Sequence, residues 1–228
     1  MTPASSAIPV DVWRVRISAE PADRWRDSLL PDEIARAGRF VFAADRDRFT
    51  VTRGVLRSLL QRYLPPHARP VEFVFNQWGK PAVGGGGPRF NVTHSGDFAL
   101  IAIAQHADVG VDIEQASEPR RVDDLAASVF TSTELARFAC LRGDARTRFF
   151  FRTWTCKEAL IKAAGAGLSI PVDRIQIDFT PDGARVSAPL GTLPAGPWSL
   201  HEIDAPEGYA SAIAVRAEAI SLKISDWS

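Results

Sequence analysis

Four short segments hold residues whose types and spacing suit chemistry. In Val109-Gly110-Val111-Asp112-Ile113-Glu114, apolar residues alternate with glycine and acids, so on a strand Asp112 and Glu114 project together from the face opposite the core. Carboxylates this close repel unless a cation lies between them, and oxygen donors suit magnesium or manganese better than zinc. A solvated edge of an antiparallel sheet fits the same alternation. In Trp154-Thr155-Cys156-Lys157-Glu158-Ala159-Leu160-Ile161-Lys162-Ala163, Trp154, Glu158 and Lys162 form one i, i+4 stripe on a helix. That stripe is either an ordinary surface pair or, because tryptophan seeks burial, the lining of a cleft. Phe90-Asn91-Val92-Thr93-His94-Ser95-Gly96 runs a strand into a polar turn where His94 and Ser95 can meet an anion. Adjacent strand residues point to opposite faces and no third partner or Gly-x-Ser-x-Gly elbow is present, so Ser95 does not read as a nucleophile, and His94 equally fits a plain turn histidine. Asn76-Gln77-Trp78-Gly79-Lys80-Pro81 places a lysine in a tight turn, where exposed lysines are also common.

The elements that must position these residues repeat. A helical pattern over Arg48–Leu64, closed by Pro65-Pro66, precedes strands at Val71–Phe75, Gly79–Val83, Arg89–Thr93 and Phe98–Ala104. A second over Phe149–Ala164, stopped by Gly165 to Pro171, precedes strands at Arg174–Phe179, Ala184–Ser187, Trp198–Ile203 and Tyr209–Val215. One helix buries only one face of a four-stranded meander, so the two halves are expected to pack together. The expected fold is α+β, a pseudo-twofold duplication of two helix-plus-antiparallel-sheet halves with the active site in the cleft between them. The halves are expected at 1–108 and 109–228, the strand at Val109–Glu114 fitting either sheet. Gly84–Gly87 lacks the Lys-Ser or Lys-Thr pair and the following helix of a phosphate loop, and reads as a mobile hairpin tip.

Composition narrows the classes. The 228 residues carry 27 basic and 27 acidic side chains, so net charge gives no argument for nucleic acid or membrane binding. Seven arginines against two aspartates between Arg36 and Arg62 make a local basic stretch able to hold an anion. Lysine occurs four times, at positions 80, 157, 162 and 223, and three of these lie in the segments above, where a compact ammonium differs from arginine in what it can do. Cys140 and Cys156 form no disulfide framework and no zinc spacing. With no signal-peptide pattern and no apolar run of membrane length, a cytoplasmic location is expected, and the doubled chain is expected to be a monomer.

Taken in order, Gly79-Lys80-Pro81, Asn91-Val92-Thr93-His94-Ser95-Gly96, Gly110-Val111-Asp112-Ile113-Glu114, Phe130-Thr131-Ser132-Thr133-Glu134 and Trp154-Thr155-Cys156-Lys157-Glu158-Ala159 with Lys162 resemble the 4′-phosphopantetheinyl transferase family, in its longer two-half form serving secondary-metabolite carrier proteins. The resemblance covers roughly residues 31–170. It implies transfer of the 4′-phosphopantetheine arm of coenzyme A to a serine of an apo acyl or peptidyl carrier protein, with release of 3′,5′-ADP. It implies Asp112, Glu114 and Glu158 as ligands of Mg²⁺ (or Mn²⁺), Glu158 also as the base, and Lys162 as the stabiliser of phosphoryl charge. Lys157 would touch the pyrophosphate, and Lys80, His94 and Ser95 the nucleotide end of coenzyme A. Arg36, Arg48 and Arg53 are candidates for its 3′-phosphate. Two positions depart from the family pattern: Glu33 and Arg36 stand where relatives place lysines, and Cys156 where a small residue such as serine is usual. Arg142, Arg146, Arg148 and Arg152 are candidates to steer an acidic carrier. Two rivals use part of the pattern: a metal-dependent phosphohydrolase of a nucleotide pyrophosphate uses the carboxylates, and a non-catalytic anion- or RNA-binding protein uses only the arginines.

Overall fold

The computed structural model describes residues 7–68, 70–116 and 119–228. The first half runs β1 (Ile8–Arg16), α1 (Pro31–Ala37), α2 (Ala43–Leu60), the hairpin β2 (Phe73–Phe75) and β3 (Pro81–Val83), then β4 (Arg89–Ser95) and β5 (Phe98–Ala104). The second half repeats that order as β6 (Val109–Gln115), α3 (Pro119–Val129), α4 (Ser132–Cys140), α5 (Gly143–Ala164), the hairpin β7 (Gln176–Thr180) and β8 (Gly183–Ser187), then β9 (Ser199–Glu202) and β10 (Tyr209–Val215). The strand β11 (Ile220–Asp226) ends the chain's regular structure.

The duplication extends to strand order. β1-β5-β4 in one sheet is matched by β6-β10-β9 in the other, every pair antiparallel. The strand at 109–115, which the sequence assigns to neither sheet, therefore opens the second. β11 crosses back to lie parallel to β1, Ile8 opposite Ile220, and the ion pair Arg14–Asp226 at 2.6 Å fastens its end. The C-terminal strand thus belongs to the N-terminal sheet, and a cut after Asp108 would not separate the sheets.

Period-two patterning builds the layers. In β5, Ala99, Ile101 and Ile103 pack under Val51, Val55 and Leu59 of α2. Leu100, Ala102 and Ala104 turn the other way, against Val109, Val111 and Ile113 of β6 and Ile213 and Val215 of β10. Ala212 and Ala214 of β10 meet Ala159, Leu160 and Ala163 of α5. The order is helix, sheet, sheet, helix, and the apolar face of β6 closes the seam between halves. Its opposite face, Gly110, Asp112 and Glu114, is left toward α5.

Gly110 sets how close α5 comes. A Cβ there would stand 2.1 Å from the Ala159 carbonyl oxygen and 2.3 Å from the Ala163 nitrogen, both backbone atoms that can move only with the helix. Gly110→Ala is therefore expected to destabilise the fold by about 3 kcal/mol or more in a urea titration, the upper end of overpacking. An unchanged denaturation midpoint would contradict this packing.

Candidate active site

Three alternate residues of β4 reach across the gap to β6. Asn91 accepts the Val111 N–H on Oδ1 at 2.9 Å, the Thr93 hydroxyl donates to Asp112 Oδ1 at 3.0 Å, and the Ser95 hydroxyl donates to Glu114 Oε2 at 2.9 Å while accepting the Gln115 N–H at 3.0 Å. β4 and β6 belong to different sheets, so these side chains stand in for a backbone ladder and fix both carboxylates. The Ser95 hydroxyl is thereby engaged by Glu114 and the Gln115 N–H. Thr93 and Asn91 were not singled out by the sequence, although the polar alternation Asn91, Thr93, Ser95 was the available signal.

From the other side α5 supplies Lys162, whose ammonium donates to Asp112 Oδ1 at 2.5 Å and to Thr93 Oγ1 at 3.2 Å. Glu158, one turn earlier, shares with Lys162 a cleft of about 260 Å³ that is also lined by Trp78, Lys80 and Asn91. Asp112 is 2% exposed, and its Oδ2 is buried with no hydrogen-bond partner among the described residues. Burial pushes its carboxyl above the ordinary value against the pull of Lys162 and Thr93. Glu114 is raised first by burial and then by the Asp112 charge, with the Ser95 hydrogen bond and then Lys162 opposing. Glu158 is raised by burial, then by Asp112 and Glu114, with Lys162 opposing. The three acids feel one another, and one ammonium does not balance them.

Among the described residues no three His, Cys, Asp or Glu side chains are gathered closely enough to hold a metal by themselves. A magnesium ion needs only one or two carboxylates when substrate phosphate and water complete its shell. The buried, unpartnered Asp112 Oδ2 is a hard oxygen donor on the carboxylate whose charge is felt by both Glu114 and Glu158, so the donor set fits such an ion.

Two family profiles match the chain: one described as the 4′-phosphopantetheinyl transferase superfamily over residues 108–214, and one described as 4′-phosphopantetheinyl transferase, N-terminal, over 21–106. The chain is 36% identical over 213 residues to the 4′-phosphopantetheinyl transferase HetI of Nostoc, covering 90% of this chain and 87% of that protein. The chain belongs to the 4′-phosphopantetheinyl transferase family. It is 27% identical over 168 residues to the 4′-phosphopantetheinyl transferase Sfp of Bacillus subtilis, covering 73% of this chain and 74% of Sfp. A holo-(acyl-carrier-protein) synthase from Bacillus anthracis, solved in complex with CoA (3′,5′-ADP), is 20% identical with a TM-score of 0.42 over 47% of this chain and 93% of that one.

Several residues of the transferase stand elsewhere than the sequence suggests. Lys157 is 0% exposed; its ammonium donates to Glu134 Oε2 at 2.6 Å, the Val129 carbonyl at 2.7 Å and the Val172 carbonyl at 3.2 Å. Its three N–H bonds are spent inside the protein, and none is left for a pyrophosphate. Glu134 gains a role here. It closes a capping box with Thr131 at the start of α4 and accepts the Ile177 N–H at the start of β7 at 2.8 Å. Glu134→Ala strands a buried cation, so we expect a loss of about 3–5 kcal/mol in stability with kcat/KM per folded molecule preserved. Lost turnover at an unchanged denaturation midpoint would return Lys157 to the substrate.

The basic stretch divides. Arg48, paired with Asp45 at 2.7 Å, lies near His94, whose imidazole is pushed below its ordinary value by desolvation, then by Arg48 and Lys162. His94 thus feels the Lys162 ammonium of the carboxylate site. Arg36 and Arg53 instead line a separate cleft between α1, α2 and β2. There Arg53 faces Glu33 at 3.5 Å and lies over the Phe73 ring at 4.8 Å. Glu33 is structural, accepting the Arg57 Nε–H at 2.7 Å and the Leu30 N–H at 2.9 Å. Cys156 is a buried core side chain, and burial pushes its thiol far up. Of the proposed steering arginines, Arg146 is held by Asp123 and Arg152 by Glu202, each at 2.6 Å. Arg142 and Arg148 remain exposed.

Proposed function

We propose that this transferase moves the 4′-phosphopantetheine arm of coenzyme A onto a serine of an apo acyl or peptidyl carrier protein, releasing 3′,5′-ADP. The observation that carries this reading is the buried Asp112 carboxylate, held on one oxygen by Thr93 and Lys162 and unpartnered on the other, beside a cleft that Glu158 and Lys162 line. Asp112, Glu114 and Glu158 would hold Mg²⁺, or Mn²⁺ in its place, which when bound neutralises pyrophosphate charge.

In the proposed step the serine Oγ forms a bond to the β-phosphorus of coenzyme A, and the bond from that phosphorus to the oxygen bridging to the α-phosphate breaks. The electron pair leaves with 3′,5′-ADP. The serine proton passes to the Glu158 carboxylate, directly or through water. Lys162 sits where charge builds on the phosphoryl oxygens, and Thr93 keeps it and Asp112 in register. Arg48 and His94 provide for the 3′-phosphate, and Arg36 lies farther out.

The test is to incubate the chain with coenzyme A, Mg²⁺ and an apo carrier protein and weigh the carrier. A mass gain of one phosphopantetheine is expected. Coenzyme A cleavage without a change in the carrier would make the protein a phosphohydrolase instead.

A further inference from the structure

The tip between β2 and β3 belongs to the first half, yet its side chains end on the second. Asn76 is locked in its own turn, its Oδ1 accepting the N–H groups of Trp78 and Lys80 at 2.9 Å each. Its Nδ2 donates to the Gly165 carbonyl at 2.7 Å. The Lys80 ammonium donates to the Ala163 carbonyl at 2.9 Å and to the Val109 carbonyl at 3.2 Å. Helix α5 ends at Gly165 in the left-handed conformation, φ 71°, which leaves carbonyls at its last turn without intrahelical partners. Two of the carbonyls at this end, Ala163 and Gly165, are taken by side chains from the opposite half, and a cation is well placed at the negative end of the helix.

These contacts bear on the chemistry because of where they fall. Ala163 follows Lys162 directly, Glu158 is one turn earlier on the same helix, and Val109 precedes the Gly110 contact where α5 touches β6. We propose that Lys80, together with Asn76, is a positioning residue. It docks the last turn of α5 onto the first half and so sets where Glu158 and Lys162 stand, in place of gripping the nucleotide as the family resemblance suggests. The proposal rests on the transfer reaction above. Burial lowers the Lys80 pKa to about 8, with Asp108 opposing and Arg89 adding to the shift; Glu158 and Lys162 are the charged groups across the cleft. The clamp therefore weakens as pH rises past that value.

The experiment is steady-state kinetics of the full chain with coenzyme A, Mg²⁺ and apo carrier, comparing wild type with Lys80→Met, Lys80→Arg and Asn76→Ala. Measurable wild-type transfer establishes the reaction separately from the proposal. We expect Lys80→Met to lower kcat by about tenfold or more, the scale of a small misplacement of catalytic groups, with the coenzyme A KM changed less than twofold. Asn76→Ala, at an exposed position, should act in the same direction to a smaller extent, and it decides the matter if Lys80→Met does not fold. Lys80→Arg should recover most of kcat and flatten the alkaline decline near pH 8. A tenfold rise in coenzyme A KM at unchanged kcat would overturn the proposal by making Lys80 a ligand. A lowered melting temperature with unchanged kinetics would overturn it by making the contact structural only.

Discussion

Replacing Asp112 by alanine is expected to lower kcat/KM by about a thousandfold or more while leaving the melting temperature unchanged or higher. The two halves of that expectation have one cause. Asp112 is almost fully buried, its carboxyl is raised by desolvation, and one of its oxygens has no hydrogen-bond partner among the described residues. The bonds it accepts from Thr93 and Lys162 are offset by the cost of taking a carboxylate out of water, so its net contribution to the fold is small. The remaining Lys162 side chain is 27% exposed and can turn to water. What the carboxylate can do is hold a cation against a pyrophosphate, and losing that stabilisation is worth about 4 kcal/mol in the transition state. Steady-state rates with a thermal melt check both parts. Activity within tenfold of wild type would contradict the role, and so would a collapse of the fold that accounts for the lost activity.

Glu158→Gln is expected to lower kcat by about a hundredfold to ten-thousandfold, the range for removing a positioned base, with the coenzyme A KM changed by no more than a few-fold. Glutamine preserves the length and packing of the side chain, so the cleft wall formed by Glu158 and Lys162 keeps its shape. It cannot take the serine proton, and it is a weaker partner for a divalent ion. The separation of kcat from KM is the informative part, since a residue used only to bind coenzyme A would move KM. Retained kcat in single-turnover measurements would assign the base elsewhere.

The sequence made the duplication visible because its signals are local: a helical period before each run of alternating strands, and Gly165 as a helix stop. The acids of β6 and the Glu158–Lys162 stripe were legible for the same reason, since residues two apart on a strand or four apart on a helix share a face. The return of β11 to β1 was not legible, because strand partnering over more than two hundred residues leaves no mark in local pattern. Lys157 misled because its type and neighbours are those of a catalytic residue, while its burial depends on Glu134, Val129 and Val172 arriving from α4 and the segments around it. Glu33 likewise became intelligible only beside Arg57, twenty-four positions away in the chain.

The most direct test is a crystal of the protein grown with Mn²⁺ and coenzyme A, with the ion located by its anomalous scattering. The account predicts a peak about 2 Å from Asp112 Oδ2, completed by carboxylate oxygen from Glu114 or Glu158 and by pyrophosphate oxygen. A peak on coenzyme A that leaves Asp112 Oδ2 without a ligand, or no peak between β6 and α5, would contradict it.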